Sequence, residues 1–69
     1  MDDEQLLTDL SSRLREAHRR LAALPVSETE KAYLAGRVIV ISDAAKHDLR
    51  RASVRLDRLL EELRARENP

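Results

Sequence analysis

The feature that most constrains the fold is the spacing of apolar residues between Ala32 and Leu63. They recur in steps of three and four residues, which places them on one face of an α-helix, whereas a strand would repeat every two residues. A second stripe with the same spacing runs from Leu7 to Leu24. The positions of the longer stripe are Leu34, Val38, Ile41, Ala45, Leu49, Ala52, Leu56, Leu59 and Leu63. The sequence therefore predicts an all-α protein.

The first helix is predicted to span about residues 3–24. It must end before Pro25, because the residue that precedes a proline is pushed out of helical geometry. Ser27 and Glu30 then have the spacing of a capping box, which predicts that a new helix begins at about residue 28. Since only a few residues separate the two helices, they should fold back on each other as an antiparallel hairpin.

The end of the second helix is the open structural question. Residues 42–48 contain no Gly, Pro or Asn to turn the chain, and an apolar seven-residue spacing continues across them. We therefore predict one long helix over about residues 28–66. The alternative is a three-helix bundle with a break near residues 42–47, in which Ser42 and Asp43 would cap a third helix.

The long-helix prediction has a consequence for assembly. At about 1.5 Å per residue the second helix would be nearly twice as long as the first, so residues 49–66 would lack a partner within the chain. Such a leucine stripe should be covered by a second copy, which predicts a homodimer resembling a coiled coil or a four-helix bundle. The predicted interface residues are Leu49, Leu56, Leu59, Leu60 and Leu63. In the three-helix alternative these leucines are buried within one chain, and a monomer suffices.

The composition narrows the class of protein. The 69 residues suffice for one helical domain, 1–69, and contain no cysteine, so neither a disulfide nor a thiolate metal site is expected. Thirteen basic and thirteen acidic side chains cancel, which gives no overall attraction to nucleic acid or to an anionic membrane. The N-terminus lacks the pattern of a signal peptide, and no apolar run reaches the roughly 18–20 residues of a membrane span. We expect a cytoplasmic protein that does not enter a membrane.

The sequence offers no enzyme-like site. One glycine cannot build a phosphate-binding loop, and no serine lies in a nucleophile turn. The carboxylate clusters have no histidine three or four residues away, the spacing that a metal site in a helical bundle uses. We therefore expect no enzymatic activity, no catalytic or metal-binding residues and no cofactor.

Two short segments resemble motifs of signalling proteins. Residues 47–50, His-Asp-Leu-Arg, resemble the phospho-acceptor box of sensor histidine kinases, in which the histidine projects from a bundle helix. Residues 53–57, Ser-Val-Arg-Leu-Asp, resemble the signature of the small sporulation-type aspartyl-phosphate phosphatases, which are helical hairpins. These resemblances imply an alternative function in a phosphorelay, centred on His47 or Asp57.

Arginines form the remaining cluster, on the C-terminal half of the chain. They could contact nucleic acid, an anionic regulator or an acidic protein surface. No aromatic residue accompanies them for base stacking, which disfavours nucleic acid, and nearby carboxylates predict a salt-bridged, solvated face. The residues are Arg50, Arg51, Arg55 and Arg58, with Asp48, Asp57, Glu61 and Glu62 as the carboxylates.

Together these features favour a small helical module for protein–protein interaction or oligomerisation, with a regulatory or adaptor role. The leucine stripe would provide the contacts, and the arginines would set orientation and partner choice. The expected partners are a second copy of the chain and another protein.

Overall fold

The computed structural model describes residues 2–67, which form three α-helices and no strand. The helices are α1 (Asp3–Ala22), α2 (Glu28–Ala45) and α3 (Leu49–Glu67), packed into a compact three-helix bundle. Cross-helix ion pairs show that α2 runs antiparallel to α1 and α3. The all-α prediction is confirmed, and the ends of the predicted domain, residues 1 and 68–69, lie outside the described residues.

The first helix begins at Asp3, as predicted. The Asp2 carboxylate accepts a hydrogen bond from the Gln5 amide at 2.8 Å and so caps α1. The helix ends at Ala22, two residues before the predicted end, and the amides of Ala23 and Leu24 bond back to carbonyls of the last turn, each at 3.2 Å. Pro25 follows and prevents further helix.

The start of α2 agrees with half of the predicted capping box. Ser27 Oγ accepts a hydrogen bond from the Glu30 amide at 3.1 Å. The Glu30 carboxylate, which a complete box would turn back toward the start of its own helix, instead accepts from Arg66 Nε of α3 at 2.5 Å. Glu30 therefore lies in the first turn of α2 and links α2 to α3.

The predicted single helix over residues 28–66 is wrong, because α2 ends at Ala45. The amides of residues 46, 47 and 48 donate to carbonyls of residues 43 and 44 at 3.1, 3.0 and 2.8 Å, which tightens the last turn and stops its propagation. The backbone at Lys46 is right-handed, with φ −70° and ψ −19°, and no described residue has a positive φ. The turn therefore needs neither glycine nor proline.

Asp48 starts the third helix. Its carboxylate accepts a hydrogen bond from the Arg51 amide at 3.1 Å, which is the geometry of an N-cap. The three-helix alternative is therefore correct, although the cap is Asp48 and not Ser42 or Asp43. The break lies at residues 46–48, at the end of the predicted window.

The core consists of aliphatic residues from all three helices and the α1–α2 turn. Their regular spacing lets each helix present one stripe to the other two. The buried residues are Leu10, Ala17, Leu21, Leu24, Leu34, Val38, Ile41, Ala52, Leu56, Leu59 and Leu63. No polar or charged residue in the described part of the chain is buried with them.

The dimer prediction assumed that residues 49–66 extend beyond the first helix without a partner in their own chain. The structure shows otherwise, because the turn at residues 46–48 directs α3 back along α1 and α2. The leucines proposed as a dimer interface therefore lie in the core of one chain. Leu56, Leu59 and Leu63 are fully buried, and Leu49 and Leu60 are partly buried against the same core. Self-association stays a prediction, and in this fold it would have to use other side chains.

Candidate protein-interaction surface

A groove between α2 and α3 gathers the predicted arginine cluster. Arg51, Arg55 and Arg58 recur at steps of four and three, so they lie on one flank of α3. The groove consists of two adjoining depressions that share Arg55 and Arg58. The first, between α2 and α3, is also lined by Arg37, Val40 and Ile41. The second, along α3, is also lined by Asp48, Arg50, Arg51 and Val54. We call this surface the α2–α3 groove. All four predicted arginines belong to it.

Three of the four carboxylates predicted near these arginines have another hydrogen-bond or ion-pair partner, and the fourth, Glu61, forms no ion pair within residues 2–67. Asp48 caps α3, and Asp57 pairs with Arg13 of α1. Glu62 pairs with Arg37 at 2.6 Å and lies 3.9 Å from Arg66. Among residues 2–67, no carboxylate lies within ion-pairing distance of the four arginines, which are Arg50, Arg51, Arg55 and Arg58. The predicted salt-bridged face is therefore wrong for this cluster.

The ion pairs of the bundle make the surface charge uneven. Arg20 of α1 binds Glu67 at 2.6 Å, and the hydrogen bonds from its guanidinium hold the pKa of the Glu67 carboxyl below its ordinary value. Glu30 similarly neutralises Arg66 across α2 and α3. Each of these pairs neutralises one acidic and one basic side chain and leaves the chain neutral overall. The groove is basic because Arg50, Arg51, Arg55 and Arg58 form no ion pair within residues 2–67.

Two exposed valines make the groove partly apolar. Val40 is 57% exposed and Val54 is 53% exposed. They lie among arginine side chains whose aliphatic stems add to the apolar area while the guanidinium groups stay in water. A surface that combines apolar area with unpaired guanidinium groups suits an acidic amphipathic segment.

At the α2 edge of the groove, Arg37 lies over the ring of Tyr33. Its guanidinium carbon is 5.9 Å from the ring centroid, which is a cation–π distance. The pair joins the groove to the exposed outer side of α2. Sequence reasoning did not predict Arg37, Val40 or Val54 as surface residues of interest. Val40 was missed because an apolar β-branched run, here residues 38–41, gives no sign of which members point outward.

The segment that resembles the phosphatase signature joins α3 to α1. Arg13 of α1 donates to Ser53 Oγ at 2.9 Å and to the Ser53 carbonyl at 3.3 Å, and it also pairs with Asp57. On its own helix it pairs with Asp9 at 3.2 Å. Leu56, the apolar residue of the same signature, is fully buried. The structure thus uses these side chains to hold two helices together.

His47 lies in the α2–α3 turn and is exposed. The resemblance to the histidine kinase box implies a histidine that projects from a helix, and the structure does not provide that setting. Asp3 and Arg50 line the same shallow depression as His47 at this end of the bundle. Within residues 2–67, no three His, Cys, Asp or Glu side chains are grouped to hold a metal ion.

Within the described range, none of the three helices is long and apolar enough to cross a bilayer. Comparisons with known proteins identify no relative: no family model, no curated protein and no solved structure matches this chain. We therefore infer function from the chemistry of the surface.

Proposed function

We propose that this chain is a small protein-interaction module with an adaptor or regulatory role, which binds an acidic helical segment of a partner protein in the α2–α3 groove. The observation that supports this proposal is a set of four arginines that have no carboxylate partner within residues 2–67 and lie beside two exposed valines. Unpaired guanidinium groups bind carboxylates through paired hydrogen bonds, and the valines supply apolar area.

The spacing of the arginines fits a helix as the ligand. Arg51 and Arg58 are separated by about 10 Å along α3, which is two helical turns, and Arg55 lies between them. Carboxylates at positions i, i+4 and i+7 of a helix laid along α3 would meet these three guanidinium groups. The apolar residues of that helix, one flank away, would rest on Val40 and Val54.

Several features favour a protein over nucleic acid as the partner. Tyr33 is the only aromatic residue of the chain, and it is already stacked with Arg37 at the edge of the groove. Single-stranded nucleic acid binds through repeated stacking on aromatic side chains, which α3 does not offer. The zero net charge further weakens long-range attraction to a phosphate backbone.

The proposal can be tested with a displayed library of helix-forming peptides about 20 residues long. Peptides are selected on the wild-type chain and then measured individually by fluorescence anisotropy. The test variant is Arg51→Glu with Arg55→Glu, which reverses the charge of the groove. The matched control is Arg15→Glu with Arg64→Glu, because these two arginines are exposed outside the groove and the net charge change is the same.

We expect enrichment of peptides with carboxylates at i, i+4 and i+7 beside an apolar stripe. Their affinity should fall by at least about tenfold with the groove variant, stay near the wild-type value with the control, and weaken with added salt. Selected peptides that bind the groove variant and the wild type equally would refute the proposal. Tighter binding of a single-stranded oligonucleotide than of any selected peptide would also refute it.

A further inference from the structure

The outer side of α2 is apolar and has no partner in the bundle. Tyr33 is 61% exposed and Ile39 is 62% exposed, and neither belongs to the aliphatic core of the bundle. At 100° per residue, the side of α2 opposite its buried positions carries Thr29 and Asp43, within about 20° of Gly36 around the helix, and five apolar or glycine residues. These five are Ala32, Tyr33, Gly36, Ile39 and Val40, which we call the α2 outer face. Thr29 and Asp43 bound it at its two ends.

The α2 outer face is symmetric about Gly36. Ala32 and Val40 lie four residues to either side of it, and Tyr33 and Ile39 lie three residues to either side. A two-fold dimer requires a patch that is complementary to itself, and an antiparallel pair of helices meets this condition when the pattern reads alike from both ends. We propose that this face binds the same face of a second copy of the chain, antiparallel, with Gly36 at the two-fold axis.

The sizes of the side chains fit this arrangement. Ile39 would lie opposite the partner's Ala32, and Tyr33 would lie opposite the partner's Val40, so each large side chain meets a smaller one. At the axis, two glycines let the helix backbones approach closely. A Cβ atom added at Gly36 would meet nothing within 4 Å in its own chain, so the internal packing of the bundle does not require glycine there.

The charges at the ends of α2 favour the antiparallel orientation. Glu28 and Lys46 are about five helical turns apart, so they lie on the same side of the helix, and both are exposed. Lys46 pairs with Asp43 of its own chain at 3.4 Å, and in the antiparallel dimer Glu28 comes beside the partner's Lys46. Asp43 comes beside the N-terminus of the partner's α2, where the helix dipole is positive. A parallel pair would bring like ends together.

The area of the face sets the strength of the dimer. The largest apolar patch on a monomeric protein typically measures about 300–600 Å², and five residues on one side of a single helix form a patch no larger than this. A stable interface buries about 800 Å² per partner, so the proposed contact lies at the weak, reversible end of specific association. The dimer should therefore depend on concentration in the micromolar to millimolar range.

This dimer uses a different side of α2 from the proposed binding of an acidic segment, and the two surfaces share only Val40, at the edge of both. Ile39 is one helical turn from Ser42, which lies beside α1, so it is on the far side of α2 from the groove. Val54 lies in the groove on α3 and does not touch the α2 outer face. Substitutions at these two positions therefore separate the two surfaces.

Sedimentation equilibrium of the full chain, between about 10 µM and about 1 mM, tests the dimer. The test variants are Ile39→Glu and Gly36→Leu, and the matched control is Val54→Glu, which places the same charge at a similarly exposed apolar position. Circular dichroism verifies that each variant is helical. We expect a dimer that weakens at least about tenfold in both test variants and is retained in the control.

A wild-type chain that stays monomeric up to about 1 mM would overturn the proposal, as would a dimer that both test variants retain. Orientation is tested with single cysteines, because the chain has none of its own. An equimolar mixture of Ala32→Cys and Ile39→Cys chains should oxidise mainly to the mixed disulfide. Predominant formation of the two homodisulfides would refute the antiparallel arrangement.

Discussion

Replacing Gly36 by alanine should stabilise the protein. Gly36 lies in the interior of α2, is exposed, and does not have a positive φ. Glycine within a helix costs about 1 kcal/mol relative to alanine, because it loses more backbone freedom on folding. Since an added Cβ meets nothing within 4 Å, no steric cost offsets this gain.

The expected gain in the free energy of unfolding is therefore about 1 kcal/mol, which corresponds to a rise of about 4–8 °C in the midpoint of thermal unfolding for a domain of this size. The assay is urea and thermal unfolding followed by circular dichroism at about 5 µM, where weak association is not populated. The dependence of the free energy on urea should not change, because the buried area does not change.

Ala32→Gly is the matched control, since Ala32 is exposed on the same face one turn earlier. It should lower the free energy of unfolding by about 1 kcal/mol. If Gly36→Ala instead lowered stability at this concentration, either α2 would not be a regular helix at Gly36 or the added methyl group would meet a neighbour. Either result would refute the reasoning.

Three further predictions concern the fold. Asp48→Ala removes the cap of α3 and should cost about 1 kcal/mol in urea unfolding, whereas Asp43→Ala should have little effect; equal losses would contradict the assignment of the cap. Leu59→Ala should cost about 2–5 kcal/mol and leave little helical signal at 25 °C, and a normal unfolding curve would show that Leu59 is not in the core. Because the pKa of Glu67 is lowered in the folded chain, its ionised carboxylate stabilises the fold at pH values above the ordinary carboxylate pKa. This stabilisation is lost as the pH falls through the pKa that Glu67 has in the folded chain. The urea midpoint of Glu67→Gln should therefore fall less on acidification than that of the wild type, and an equal fall would contradict a role for Arg20 and Glu67.

The helices could be predicted from the sequence where local signals act alone. The spacing of the leucines indicated helices, Pro25 ended the first, and Ser27 capped the second. The turn at residues 46–48 was missed because the chain offers no residue there that forbids a helix. An aspartate can cap a helix or lie on its exposed side, and only the packing of α3 against the other helices decides between the two.

The charge of the groove could not be predicted from neighbouring sequence. Asp57 is one residue from Arg58, yet it pairs with Arg13, which is far away in the chain. Glu62 likewise pairs with Arg37 of α2. Which arginines remain unpaired is thus a property of the packed bundle. The exposure of Ile39 could not be predicted either. The apolar run that contains it, residues 38–41, is also typical of a helix that is buried on every side.

The turn between α2 and α3 also determines how the chain can exchange parts with another copy. Hydrogen bonds hold this turn, and no residue within 46–48 is one that helices exclude. The apolar spacing continues across it from Val38 to Leu59, so a straightened connection would keep one continuous seam. The third helix of one chain could then fill the place of the third helix in another and restore every core contact. The main barrier to such an exchange lies in opening the aliphatic core, and straightening the turn adds the loss of the Asp48 cap, about 1 kcal/mol.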